Sequence, residues 1–254
     1  MRLFISILLI CLSLFNTHAS SAQKIPLWTY YDFPPFIINT SLKTGLVYDL
    51  ARLLSDQSQG KLQFNALYLP RKRLDQKLKS QAVGVVAFVS PLWFKGSYLW
   101  SPKLLLGRNE VISLTSQELE YTTPESLKNL HFTGLLGHKY PGIDKLVRAG
   151  RVKRSNVLNV KTALKTLLKG RTDAILLPRV AALYQVNKLG ADALVYYSKQ
   201  PQYMFYRHLL FQSSLHSAFA ELTPFLTNLH LNPQWLSILD TYNLQSLVVS
   251  HSNF

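Results

Sequence analysis

Residues 25–54 read IPLWTYYDFPPFIINTSLKTGLVYDLARLL, and this order of residue types sets the architecture of the N-terminal half. Ile25 to Tyr30 has the apolar, aromatic-rich composition of a buried strand. An aromatic loop around Pro34 and Pro35 follows, then a short hairpin-like excursion. Gly45 opens a helix whose Leu46, Leu50, Leu53 and Leu54 share one face. Two prolines fix the loop and commit its aromatics to one arrangement.

Working outward, apolar runs of strand length alternate with helical patterns, the signature of parallel α/β units. Leu62 to Leu69 reads as a second strand, Arg71 to Ser80 as a short basic helix, and Val83 to Val89 as an apolar third strand closed by Ser90-Pro91. A crossing segment follows, and then a second α/β set. In that set Thr123 is a helix N-cap with Pro124 at the first helical position. Strands are expected at His131 to Leu136 and Ala174 to Leu177, with helices at Gly142 to Ala149, Thr162 to Lys169 and Arg179 to Leu189. Leu194 to Tyr197 is expected to lead back to the first set, and from about Ser213 the chain reads as helical. This predicts an α/β fold of two open sheets in two lobes: 23–108 plus 200–254, and 109–199. Crossings are expected near 105–112 and 194–204.

Upstream, Arg2 precedes an apolar run from Leu3 to Phe15 and the small residues Ala19, Ser20, Ser21 and Ala22. That is the pattern of a cleavable signal peptide over residues 1–22, and it directs a soluble mature chain to the periplasm. The run is shorter than the ~20 residues a membrane span needs. Cys11, the one cysteine, falls inside it, so the mature chain is expected to hold no disulfide and no thiolate chemistry.

Lys and Arg number 28 against 13 Asp and Glu, a formal net charge of +15. The excess falls before residue 200, and Arg207 is the one Lys or Arg of the segment 200–254. Such a field favours anionic ligands or surfaces. A diffusely basic surface without ligand meaning is the alternative, and an exported chain is not expected to meet nucleic acid. The seven histidines show no paired spacing beside carboxylates, so neither a metal nor a cofactor is expected.

Ligands of open α/β sheets sit beyond the carboxyl ends of the strands, which directs attention to the residues after each strand. Tyr31 and Phe33 either line a cleft or belong to the core. Asp32 either receives a cationic group or caps the turn. Arg73 is the member of the cluster Arg71-Lys72-Arg73 expected to face a cleft. Ser90 can offer a hydroxyl and an N–H. Trp93 extends the aromatic wall or covers the hinge. Across the cleft, Gly137, His138 and Tyr140 precede the Gly142 helix, whose free N–H groups suit an anion; His138 is otherwise a surface histidine.

Four blocks in this order resemble the family 3 periplasmic solute-binding proteins, the group containing amino-acid receptors of ABC importers. They are Pro34-Pro35-Phe36, Gly45-Leu46-x-x-Asp49-Leu50, Gly170-Arg171-x-Asp173-Ala174 and Trp235-x-x-Ile238-x-x-x-Tyr242. Tyr68-x-Pro70-x-x-Arg73 also resembles a divergent branch of that family. The resemblance implies a type II-like two-lobed protein, a monomer, that closes on a small molecule and is read by a membrane permease or sensor.

Three anchors of the amino-acid receptors depart from the pattern. Trp93, in Ser90-Pro91-Leu92-Trp93-Phe94, stands near where the resemblance places a carboxylate-gripping arginine. The second-lobe turn reads Gly137-His138-Lys139-Tyr140-Pro141-Gly142 instead of a small hydroxyl turn. Leu177-Pro178-Arg179 replaces the acid that receives a ligand ammonium. An anionic or aromatic-bearing solute therefore fits better than a plain amino acid. Two other readings stay open. One is an interaction module whose cleft is filled by side chains such as Trp93, Trp100 and Tyr140. The other is a dehydratase-like enzyme, disfavoured because Asp32, Glu110 and Asp144 are its few candidate acids; a non-enzyme is expected.

Overall fold

The computed structural model describes residues 22–249; the expected leader, up to residue 21, and Cys11 lie outside them. Strand β1 (Gln23–Thr29) pairs in parallel with β2 (Leu62–Tyr68) and β3 (Val85–Val89). Between them run α1 (Leu46–Gln57) and α2 (Arg71–Lys79). Gly45 is required at the entry to α1: its φ is 130°, and a Cβ there would stand 2.6 Å from the Phe36 carbonyl oxygen.

The crossing to the second half is β5 (Leu105–Leu114), preceded by the two-residue β4 (Leu99–Trp100). That half contains β6 (His131–Leu135), α3 (Ile143–Arg148), β7 (Lys153–Val157), α4 (Val160–Leu168), β8 (Ala174–Pro178) and α5 (Arg179–Lys188). β6 runs parallel to β7 and β8, and β5 antiparallel to β8. Thr123 and Ser126 form the capping box of a one-turn 3₁₀ helix, Pro124–Leu127.

The return differs from the expectation over 194–204. β9 (Val195–Tyr197) only edges β5. The chain crosses back in β10 (Tyr203–Phe211), which pairs antiparallel with β5 through its first residues and with β3 and β4 through its last. Pro201, which has no N–H to give a ladder, separates the two strands. The strand path is β2-β1-β3-β10-β5-β8-β6-β7, so β10 belongs to both halves of the curled sheet.

Strand alternation divides the core into layers. In β8, Ile175 and Leu177 pack with Ala163, Leu164 and Ala181 from α4 and α5, while Ala174 and Leu176 pack with Ile143 and Leu146 from α3. In the first half, Ile25, Leu27 and Phe88 meet Leu50 and Leu54 of α1. The same cluster takes Leu222 of α6 (His216–Thr227) and Trp235 of α7 (Pro233–Thr241). The opposite face holds Trp28, Leu74, Leu78 and Val86. Phe33 packs against the cores of both halves.

Candidate functional site

Between the two halves lies a cavity of about 340 Å³, near the lower end for small-molecule sites. Tyr30, Tyr31 and Trp93 line it from the first half, and His138, Lys139, Pro141 and Pro178 from the second. Asn109, Tyr203, Phe205 and Arg207 form its floor on the crossing strands. Alternation along β10 puts Tyr203, Phe205 and Arg207 on one face. Gly107 opens space opposite: a Cβ at that position would lie 2.3 Å from the Phe205 ring.

Aromatic faces dominate the walls. The Trp93 and Phe205 centroids are 4.7 Å apart at 61°, and Tyr203 stacks on Phe205 at 5.6 Å. Tyr31 stacks on Phe36 at 4.4 Å, and its hydroxyl lies 3.1 Å from that of Tyr30. Burial raises the Tyr30 phenol pKa, with the neighbouring Tyr31 adding to the effect, so Tyr30 borders the cavity as a neutral hydroxyl.

At the heart of this wall is Arg207. Its Nη1 donates to the Tyr31 hydroxyl at 3.0 Å and to the Phe88 carbonyl at 2.9 Å. Phe88 sits at φ 60°, beside a register shift in the β10–β3 ladder between His208 and Leu210. Such bulges are common next to sites, where they re-aim backbone and side chains. Here the Phe88 carbonyl accepts from both Arg207 and, at 3.3 Å, the Tyr31 hydroxyl.

Of the residues expected at the site, Tyr31, Trp93 and His138 line the cavity. Arg73 does not; it is exposed on α2. Arg71 instead supports the wall, donating to the Trp93 carbonyl at 2.8 Å and lying 4.2 Å over the Phe94 ring. Ser90 is buried, and its carbonyl receives the Trp93 N–H to start a 3₁₀ turn. Phe33 lies behind the cavity wall against Tyr31 and Phe36. Gly137, at φ 79°, turns the chain ahead of His138.

Tyr140 is 1% exposed and belongs to the core. Its hydroxyl accepts from the Leu135 N–H at 2.9 Å and donates to the Leu176 carbonyl at 3.0 Å. Burial is the main reason its phenol is pushed up to about 12. The expected anion site at the Gly142 helix is also occupied by the protein itself. Asp144 accepts from the Tyr140 N–H at 2.8 Å and pairs with Arg154 at 2.9 Å. Trp100 packs away from the cavity, beside His208 and Phe94.

His138 has its imidazole held below the usual range, first by burial and then by the Arg154 cation. Burial also lowers His208, although its bond to the Ser101 carbonyl opposes the shift. Unfolded histidines take up protons near ~6.5, so below that pH the unfolded chain binds more protons than the folded one. Stability is therefore expected to fall as pH drops through that value. The urea midpoint should be lower at pH 5.5 than at pH 7.5, and H138Q/H208Q should flatten the difference. Glu120, held down to about 2 first by the Tyr196 hydroxyl, titrates well below this window. A midpoint independent of pH in the wild type would contradict the assignment.

Among the described residues no group of three or more His, Cys, Asp or Glu could hold a metal ion, and no helix is long and apolar enough to cross a membrane. No protein-family model and no curated protein matches the sequence. Solved structures do match. A polar amino acid ABC uptake transporter substrate-binding protein from Streptococcus thermophilus superposes with TM-score 0.66 at 15% identity, over 90% of this chain and 88% of that one. An ancestral arginine-binding protein bound to arginine gives 0.63 at 17% identity, over 87% and 99%. The ancestral amino-acid-binding protein AncCDT-1, a precursor of cyclohexadienyl dehydratase, gives 0.62 at 14%, over 86% and 95%. At these identities the likeness speaks for the fold: this chain is built as the two-lobed substrate-binding proteins of ABC importers are.

Proposed function

We propose that the chain is a periplasmic solute-binding protein. It captures one small anionic or aromatic-bearing molecule between its lobes by hinge closure and presents the closed form to a membrane permease or sensor. The observation that carries this is the cavity itself: both halves and both crossing strands line it, and no carboxylate is among its lining residues. A ligand that bridges the two halves would shift them toward the closed arrangement.

The same lining argues against the amino-acid ligands of the structural neighbours, since an ammonium group would find no anionic partner there. It also argues against general acid–base catalysis by a carboxylate. The side chains that a ligand-free interaction module would use as a plug leave the space open: Tyr140 is in the core and Trp93 only borders the cavity. The lobe limits 23–108 plus 200–254 and 109–199, with the leader removed, define the exported monomer of this reading.

A thermal-shift screen of the chain from Gln23 onward tests it, with organic acids, aromatic acids, amino acids, peptides, polyamines and cell-wall fragments. A ligand at 100 times its dissociation constant should stabilise the protein by ~2.7 kcal/mol. Tyr31→Ala should weaken the hit, whereas Arg73→Ala, outside the cavity, should leave it unchanged. Folded protein that responds to no compound would sink the proposal.

A further inference from the structure

We infer that Arg207 is the ligand anchor, and that the solute is a small aromatic monocarboxylate whose ring lies against Trp93 and Phe205. This rests on the reading of the cavity as a solute site and names the chemistry of that site. Arg207 is 3% exposed, yet no carboxylate of the described residues pairs with it. The other largely buried guanidinium groups among the described residues do have such partners: Arg154 pairs with Asp144, and Arg108 and Arg179 with Glu110.

A guanidinium cannot shed its proton, and desolvating it costs several kcal/mol unless an opposite charge compensates. Ring faces offset part of that cost: Tyr31, Phe36 and Phe205 lie 5.2, 5.1 and 4.9 Å from Cζ. The fork is not fully used. Nη1 serves the Tyr31 hydroxyl and the Phe88 carbonyl, while Nε has no hydrogen-bond partner. Arg207 is thus held rigidly by a bulge and a phenol, borders a cavity, and lacks a counter-ion. A carboxylate is the planar anion that a guanidinium fork matches.

The rest of the lining selects the remainder of the ligand. Trp93, Phe205 and Tyr203 offer faces to a flat body. One buried cation balances one negative charge, and the second cation of the lining, Lys139, is exposed to solvent, where its attraction is screened. A zwitterion would bury its ammonium in a lining that has no anionic side chain.

The test is calorimetry on the chain from Gln23 onward with benzoate, phenylacetate and indole-3-carboxylate, each paired with its neutral carboxamide and run beside phenylalanine and tryptophan. At least one acid is expected to bind at least ~30-fold more tightly than its carboxamide, the scale of a charged partner left unpaired in a buried site. Arg207→Gln should remove that preference, and Arg73→Gln, outside the cavity, should not. The acid–amide comparison is made on unaltered protein, so it stands even where Arg207→Gln unfolds. A carboxamide or amino acid binding as well as the acids would overturn the inference and leave the solute-binding reading intact. Silence from every compound here, with a hit elsewhere in the broad screen, would overturn the ligand class alone; silence in both would overturn the two together.

Discussion

Trp235→Ala is expected to lower the unfolding free energy by about 3–5 kcal/mol, the range for deleting a large aromatic from a closed core. Trp235 is fully buried on α7 and stacks on the Phe88 ring at 6.4 Å and 16°. The void would open under the residue whose carbonyl holds Arg207 and Tyr31, so loss of stability should come with loss of ligand affinity. Trp235→Phe should cost much less. It keeps a ring against Phe88 and removes the indole N–H, which is buried without a partner and already carries a desolvation cost. Urea unfolding of the two variants measures both effects. A Trp235→Ala cost below about 1 kcal/mol would mean that α7 does not close the core behind Phe88.

The likeness of the helix–strand order to the observed one has a simple physical origin. β3 and β8 are buried on both faces, so VVAFV and AILLP are apolar throughout and plainly legible. β7, with the sequence KRSNV, is an edge strand with a solvated face, and its polarity hides it. β10 was hidden for another reason. YMFYRHLLF serves both halves of the sheet and a cavity in nine residues, and the alternation of its first residues breaks at the register shift between His208 and Leu210.

The site was legible to the same degree. Residues after β1, β3 and β6 are where the carboxyl-end rule looks, and Tyr31, Trp93 and His138 do line the cavity. That rule says nothing of antiparallel crossing strands, which supply Asn109, Tyr203, Phe205 and Arg207. One signal was available: Arg207 is the one Lys or Arg in an aromatic strand that has no acid, within a weakly charged tail. Arg73, expected to face a cleft, is exposed on α2, and it is Arg71 that reaches Trp93. At about 100° per residue, two residues carry the side chain from the face that meets Trp93 to the face that meets water.

The second large effect is expected where β5 and β8 cross. Glu110 is 0% exposed, and one of its oxygens lies 2.7 Å from Arg108 Nε and 3.2 Å from Arg179 Nη1. The arginines keep 22% and 21% of their side-chain surface, so they can turn to water and the carboxylate cannot. R108M/R179M should therefore cost about 3–5 kcal/mol, the penalty of stranding a buried charge. Each single substitution should cost far less than half of that, because one cation suffices to balance one carboxylate. The double-mutant cycle is then strongly non-additive. Glu110→Gln should be the mildest change, since it removes the buried charge and leaves two cations that can hydrate. The cluster sits directly behind Asn109 and Pro178, which pair across β5 and β8 and line the cavity. On the proposed reading, in which the lobes close on a solute, a charge on β5 paired to α5 would keep β5 and β8 moving as one body. Additive single costs, or a Glu110→Gln variant less stable than R108M/R179M, would show that the carboxylate does not organise this junction.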